Sequence, residues 1–229
     1  MKNLLLFAVL VTLPLLLWGC GKSEFEELTE LAEQGDADAQ SKLGWAYAHG
    51  KGVAEDDAEA AKWFRKAADQ GYAQAQTNLG VMYAEGDGVA KDRAEAIKWW
   101  RKAAEQGDAL AQFYLGVMYD NGKGVAKDRA EAAKWFRKAA DQGYAQAQTN
   151  LGVMYAEGDG VAKDLEEAIK WWRKAADQGD ANAQFNLGWA YSNGEGVAKD
   201  SEEAAEWFRK AAEQGVRGPV FAPASFLSP

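Results

Sequence analysis

The 229-residue chain has one cysteine, one histidine and four prolines. A single thiol cannot close an internal disulfide or furnish a cysteine-based zinc site. A single imidazole leaves no histidine pair for a metal and no repeated general base. Positive charge is also in short supply: 26 Lys and Arg stand against 35 Asp and Glu, a net charge of -9. Gripping nucleic acid phosphates needs a cationic face that releases counterions, so this balance argues against a nucleic acid partner. The composition fits neither collagen, nor a disulfide knot, nor a long disordered chain. What is present is an alanine-rich, charged body with ten tryptophans, the material of packed helices.

Long hydrophobic runs are scarce too, apart from one at the N-terminus. Lys2 precedes an apolar stretch from Leu4 to Trp18, interrupted only by Thr12 and Pro14 and followed by Gly19 and Cys20. It is shorter than the ~20 residues of a spanning helix and has the charged, apolar and small-residue regions of an export signal. Leu17-Trp18-Gly19-Cys20 resembles the lipobox of bacterial lipoproteins, with Trp18 departing from the small residue usual at that place. The resemblance implies a signal peptide over 1–19, cleavage before Cys20, and acylation of that cysteine. The alternative is an uncleaved N-terminal anchor. Acyl chains stabilised by about 0.8 kcal/mol per buried CH₂ would hold the protein on a membrane. Gly21, where aspartate would signal retention, points to the outer membrane facing the periplasm, with the inner membrane as the alternative.

The remainder is a repeat. Gly44, Gly80, Gly116, Gly152 and Gly188 recur every 36 residues, as do Trp63, Trp99, Trp135, Trp171 and Trp207. Five units follow, 37–72, 73–108, 109–144, 145–180 and 181–216. A 36-residue period in a helical composition predicts an all-α helix-pair solenoid, in which each unit buries its apolar face against its neighbours. Residues 58–92 are identical to 130–164, and Phe64, Trp100, Phe136, Trp172 and Phe208 alternate, so the deeper period is 72.

Each unit reads as two helices. In the first, Ala75, Leu79 and Tyr83 share one face, and Gly80 would let a neighbouring helix come close. Glycine inside a helix costs about 1 kcal/mol relative to alanine, so five in register predict a packing reason. The Gly-x-Gly connection ends at Asp92 with Glu95 three residues on, a capping box repeated at Asp56/Glu59, Asp128/Glu131, Asp164/Glu167 and Asp200/Glu203. The second helix carries Ala96, Trp99, Trp100, Ala103 and Ala104 and stops at Gly107. The unit Ala-x-Ala-Gln-x-x-Leu-Gly-x-x-Tyr, Gly-x-Gly-Val-x-x-Asp, Glu-Ala-x-x-Trp-x-Arg-Lys-Ala-Ala-x-Gln-Gly resembles the Sel1-like repeat, a relative of the tetratricopeptide repeat. The resemblance covers 37–216 and implies a right-handed superhelix whose concave face is lined by first helices. Residues 24–36 resemble the second half of a degenerate earlier unit, and 217–229 leave the pattern as a non-repeat tail that is expected to cover the last repeat in part.

The same resemblance implies a non-enzymatic scaffold that binds a protein or peptide in the concave groove, in envelope signalling, secretion or host contact. A structural brace or a glycan-binding protein is the alternative. A cysteine-rich branch linked to β-lactam binding or hydrolysis suggests a cell-wall or β-lactam hydrolase, but this chain lacks the repeat cysteines. No catalytic set, metal site or cofactor motif can be assembled from the sequence. The groove candidates are the column before the conserved-position leucine, Lys42, Asn78, Tyr114, Asn150 and Asn186, whose asparagines can both donate to and accept from a peptide backbone. Phe113 and Phe185 lie beside them, as do Ser41, Thr77 and Thr149, and the later column is His49, Glu85, Asn121, Glu157 and Asn193. Trp45 and Trp189, where other units carry valine, are candidates for ligand stacking. The second-helix tryptophans read as core, His49 as a polar helix end, and the Arg-Lys pairs at 65/66, 101/102, 137/138, 173/174 and 209/210 as solvated charge balanced by nearby acids.

Overall fold

A computed structural model of the chain describes residues 23–216 and Gly218. The export signal, Cys20 and the rest of the tail lie outside the described residues. Within them the chain forms eleven α-helices and no strand: α1 (Glu24–Glu33), α2 (Ala37–His49), α3 (Asp57–Asp69), α4 (Ala73–Glu85), α5 (Arg93–Glu105), α6 (Ala109–Asn121), α7 (Arg129–Asp141), α8 (Ala145–Glu157), α9 (Leu165–Asp177), α10 (Ala181–Asn193) and α11 (Ser201–Glu213). The even-numbered helices are the first helices of the five units, the odd ones from α3 onward the second. Helix α1 stands where a second helix would precede the first unit. Every helix packs mainly on its predecessor and successor in sequence, as a one-dimensional stack requires.

Turn chemistry sets the hairpins. Each first helix ends at a left-handed glycine, as at Gly86 (φ 91°), whose N–H returns to Met82. The second helix starts at an aspartate whose carboxylate accepts from the backbone two or three residues on. The expected reciprocal half of the capping box is absent there. The Asp92 N–H already donates to the Tyr83 carbonyl of the first helix at 2.8 Å, and the other units repeat this bond. Glu59, Glu95, Glu131 and Glu167 are therefore free to take the lysine three residues on, while Ser23 with Glu26 forms the complete box at α1.

The core explains the glycines. Leu43, Leu79, Leu115, Leu151 and Leu187 are fully buried, and the glycine after each faces an aromatic ring from the second helix of its own unit. A Cβ at Gly80 would sit 2.5 Å from Trp100 Nε1, and one at Gly116 would sit 2.5 Å from the Phe136 ring. With the ring this close, Trp100 Nε1 donates to the Thr77 carbonyl at 3.1 Å, and Trp172 repeats the bond to Thr149. The tryptophan one residue before that ring seals the junction behind it: Trp99 packs with Phe64, Ala68 and Leu79.

Glutamines stitch unit to unit. Gln76 Nε2 donates to the Ala68 carbonyl at the end of α3, and its Oε1 accepts from Gln106 Nε2 of its own unit at 2.8 Å. The pattern recurs for Gln40/Gln70, Gln112/Gln142, Gln148/Gln178 and Gln184/Gln214. A buried amide that answers a helix-end carbonyl and is itself answered leaves no polar group stranded. The basic pairs also differ from expectation. Lys66, Lys102, Lys138, Lys174 and Lys210 lie over the tryptophan rings three residues earlier, and Arg65, Arg101, Arg137 and Arg173 donate to Tyr83, Tyr119, Tyr155 and Tyr191 of the next unit. Aromatic rings and phenol hydroxyls, rather than acids, occupy these cations, whereas Arg209 meets Glu213 at 3.4 Å as expected.

A candidate binding groove along the first helices

Junctions between units come in two kinds, set by the 72-residue alternation. Thr77 and Thr149 donate to Asp108 and Asp180, the caps of the following first helices, at 3.0 Å. At the intervening junction Phe113 packs on Tyr144, ring centroids 5.0 Å apart, and on Phe136 at 5.9 Å. A large ring on one wall and smaller side chains on the other open a groove of about 610 Å³ along α6, α8 and the start of α10.

The groove brings together members of all three candidate columns: Phe113, Asn121, Thr149, Asn150 and Glu157 all line it. Val117 and Val153 form its apolar floor. Among the described residues the side-chain amide of Asn150 has no hydrogen-bond partner, and the same holds for Asn78 on α4. Thr149 is engaged by Asp180, and Asn121 Nδ2 turns back to the Val117 carbonyl.

Other candidates lie outside this groove. Tyr114 stacks on Trp100 of the preceding unit at 4.8 Å, and burial pushes its phenol pKa up. Asn186 is only 8% exposed. Phe185 packs on Phe208 at 5.1 Å, and Trp189 is half-buried against the last core cluster. Lys42 is exposed and pairs with Asp38 at 2.6 Å; the carboxyl of Asp38 is held below its usual range by that lysine first and by the Tyr72 hydroxyl second. Trp45 is 45% exposed and stacks on His49 at 4.4 Å. His49 ends α2 and contacts the Trp45 carbonyl through Nδ1 at 2.9 Å.

Several groove residues lie outside the candidate columns. Arg129, at the start of α7, meets Asp120 at 3.3 Å and also Asp159. Asp120 was identifiable: its column is otherwise Ala48, Ala84, Ala156 and Ser192, and a single acid there breaks an apolar series. Asn182 of α10 also lines the groove, and its Oδ1 is buried without a partner. The carboxyl of Glu157 is pushed up by burial first, lowered by Arg129 and raised again by Asp120. Asp120, Glu157, Asp159 and Asp180 against Arg129 make the groove acidic. Among the described residues no group of His, Cys, Asp or Glu could hold a metal ion, and no helix is long and apolar enough to cross a membrane.

Comparison with known proteins follows the same lines. The model of the Sel1 repeat matches residues 37–72, 73–108, 109–144, 145–180 and 181–216. No curated protein matches the chain. Among solved structures, a protective antigen of uropathogenic Escherichia coli strains with this repeat fold is 45% identical, with a TM-score of 0.81 over 85% of this chain and 42% of that one. The chain thus spans less than half the length of that relative. A Sel1 repeat protein from Oxalobacter formigenes is 37% identical, with a TM-score of 0.78 over 83% of this chain and 77% of that one. An immunity protein from Pseudomonas aeruginosa, 24% identical with a TM-score of 0.54 over 82% of this chain and 72% of that one, shares the fold. With five matched units, eleven stacked helices and a side-chain lattice that repeats with them, the chain belongs to the Sel1 repeat family, whose fold is a protein-interaction scaffold.

Proposed function

We propose that this protein is a membrane-tethered, non-catalytic adaptor of the bacterial envelope that binds a partner protein along its first helices. The observation that carries the reading is the groove across α6, α8 and α10: it has an apolar floor and an unpaired asparagine amide on a stacked, rigid wall. A rigid concave surface with a few free amides suits an extended segment, since the scaffold loses little freedom on binding and the amides answer the peptide backbone. The tether belongs to the proposal through the lipobox-like Leu17-Trp18-Gly19-Cys20, with the outer membrane favoured over the inner.

The experiment is a pull-down from crosslinked envelopes with tagged, acylated protein, beside a Cys20→Ala form that should remain soluble. A reproducible protein partner, lost on Asn78→Ala with Asn150→Ala while the melting temperature holds, is the expected result. Partner recovery unaffected by both substitutions would move the interaction to the outer face and make the protein a structural brace. The exposed indole of Trp45 favours a second reading as a glycan-stacking surface. Recovery of glycan alone, abolished by Trp45→Ala, would establish it. Turnover of a chromogenic β-lactam by the purified protein would overturn the non-catalytic assignment.

A further inference from the structure

Within the adaptor reading, and resting on it, one groove charge stands apart. Glu85, two units before Glu157 in the same column, has a lysine of its own in Lys91 at 3.8 Å. Glu157 makes no ion pair among the described residues, and Lys163, at the place of Lys91, is not brought to it. The one cation lining the groove, Arg129, is held between Asp120 and Asp159. Glu157 thus lines the groove with an exposed carboxylate that no ion pair among the described residues engages, although Arg129 pulls on its charge.

Around it the walls have two characters. Phe113, Val117 and Val153 present an apolar strip leading toward Glu157, while Asn150 carries a free amide and Asn182 a buried, unpartnered carbonyl oxygen. An apolar strip that ends in a carboxylate matches a side chain with an aliphatic stem and a cationic head. The neighbouring free amide of Asn150, which can both donate and accept, matches the peptide group of the residue that carries it. Four groove acids against one engaged arginine exclude an acidic segment by repulsion.

We infer that the groove between α6 and α8 seats a lysine or arginine side chain of the partner polypeptide, its stem over Phe113, Val117 and Val153, its charge against Glu157 and its backbone against Asn150. A partner cation supplies the counter-ion that Lys91 supplies to Glu85. Arg129 acts as a positioning residue that holds the Asp120 wall in place.

The test is an NMR titration of the ¹⁵N-labelled full chain in neutral detergent with blocked pentapeptides Ala-Ala-X-Ala-Ala, where X is lysine, arginine, norleucine or glutamate. Lysine and arginine peptides should give saturable shifts confined to α6, α8 and the start of α10, with norleucine and glutamate at least tenfold weaker. Glu157→Gln should weaken the lysine peptide at least tenfold without lowering the thermal melt, and Glu85→Gln should leave it unaffected. Equal binding of norleucine, indifference to Glu157→Gln, shifts elsewhere, or no saturable shift at several millimolar would each overturn the inference. The two readings separate cleanly. An envelope partner lost on Asn150→Ala but kept on Glu157→Gln leaves the adaptor standing without the basic anchor, whereas peptide binding with no partner recovered removes the adaptor and leaves the pocket.

Discussion

Gly80 and its four counterparts show how one missing methyl governs a helix pair. Alanine there should gain about 1 kcal/mol of helix propensity, yet its Cβ would stand 2.5 Å from Trp100 Nε1. Overpacking typically costs about 1–3 kcal/mol, and displacing the indole would also break its bond to the Thr77 carbonyl. Gly80→Ala is therefore expected to lower the urea midpoint, and adding Trp100→Phe should not relieve the loss, because a Cβ at Gly116 would stand equally close to the Phe136 ring. Glu157 offers a second residue-level outcome. Its carboxyl is raised by burial against the opposing pull of Arg129, with Asp120, Asp159 and Asp180 as the other charges in the groove. A carboxyl raised on folding contributes stability that is full below the ordinary glutamate value and is lost as pH rises through the folded value. Glu157→Gln should accordingly be slightly stabilising at neutral pH and neutral in acid, a small effect because the group is largely solvated. Carboxyl NMR should place the Glu157 midpoint above that of a typical glutamate, lower it with Asp120→Asn and raise it with Arg129→Gln.

Among the elements, the glutamines matter more than their modest place in the repeat suggested. Gln112 Nε2 donates to the Ala104 carbonyl of α5, and Gln142 Nε2 donates to Gln112 Oε1. Gln112→Leu removes both partners' answers at once, and an unsatisfied buried polar group costs about 1–3 kcal/mol. Hydrogen exchange should quicken at the ends of α5 and α7 while distant helices keep their protection. Asp128→Ala takes the cap from α7 and should cost about 1 kcal/mol; because the Asp128 N–H donates to Tyr119 through the backbone, the hairpin itself should survive. The glutamine motif was plain in the sequence as a repeated letter. Its meaning was hidden, since the answering glutamine lies 30 residues away and only the stacked helices bring the two together.

The whole molecule should behave as a linear array, with stability assembled from units and their interfaces. Deleting 73–144 joins Tyr72 to Ala145, the same pairing that Tyr144 makes with Ala145, and the flanking residues are those of the native chain. The shortened protein should fold with unchanged helicity per residue, a smaller urea dependence and a lower melting temperature. It should lose binding of the lysine peptide, because Phe113 and Val117 go with α6, and this outcome separates folding from recognition. With a net charge of -9 and an acidic groove, association with a basic segment should weaken as salt rises.

Unit boundaries, the positions of both helices, the aspartate caps and the buried tryptophans all follow from a 36-residue period, because local turn chemistry and periodic burial act within a few residues of each other. The groove candidates Phe113, Asn150 and Glu157 were likewise visible as columns. Which columns stay open was decided only by stacking. Tyr114 and Asn186 share the column of Asn150, yet one lies against Trp100 and the other is buried. The free Glu157, the engaged Arg129 and the aromatic capture of the Arg-Lys pairs depend on which unit faces which. A repeat determines each unit alone, whereas the difference between near-identical units is expressed only where two of them meet.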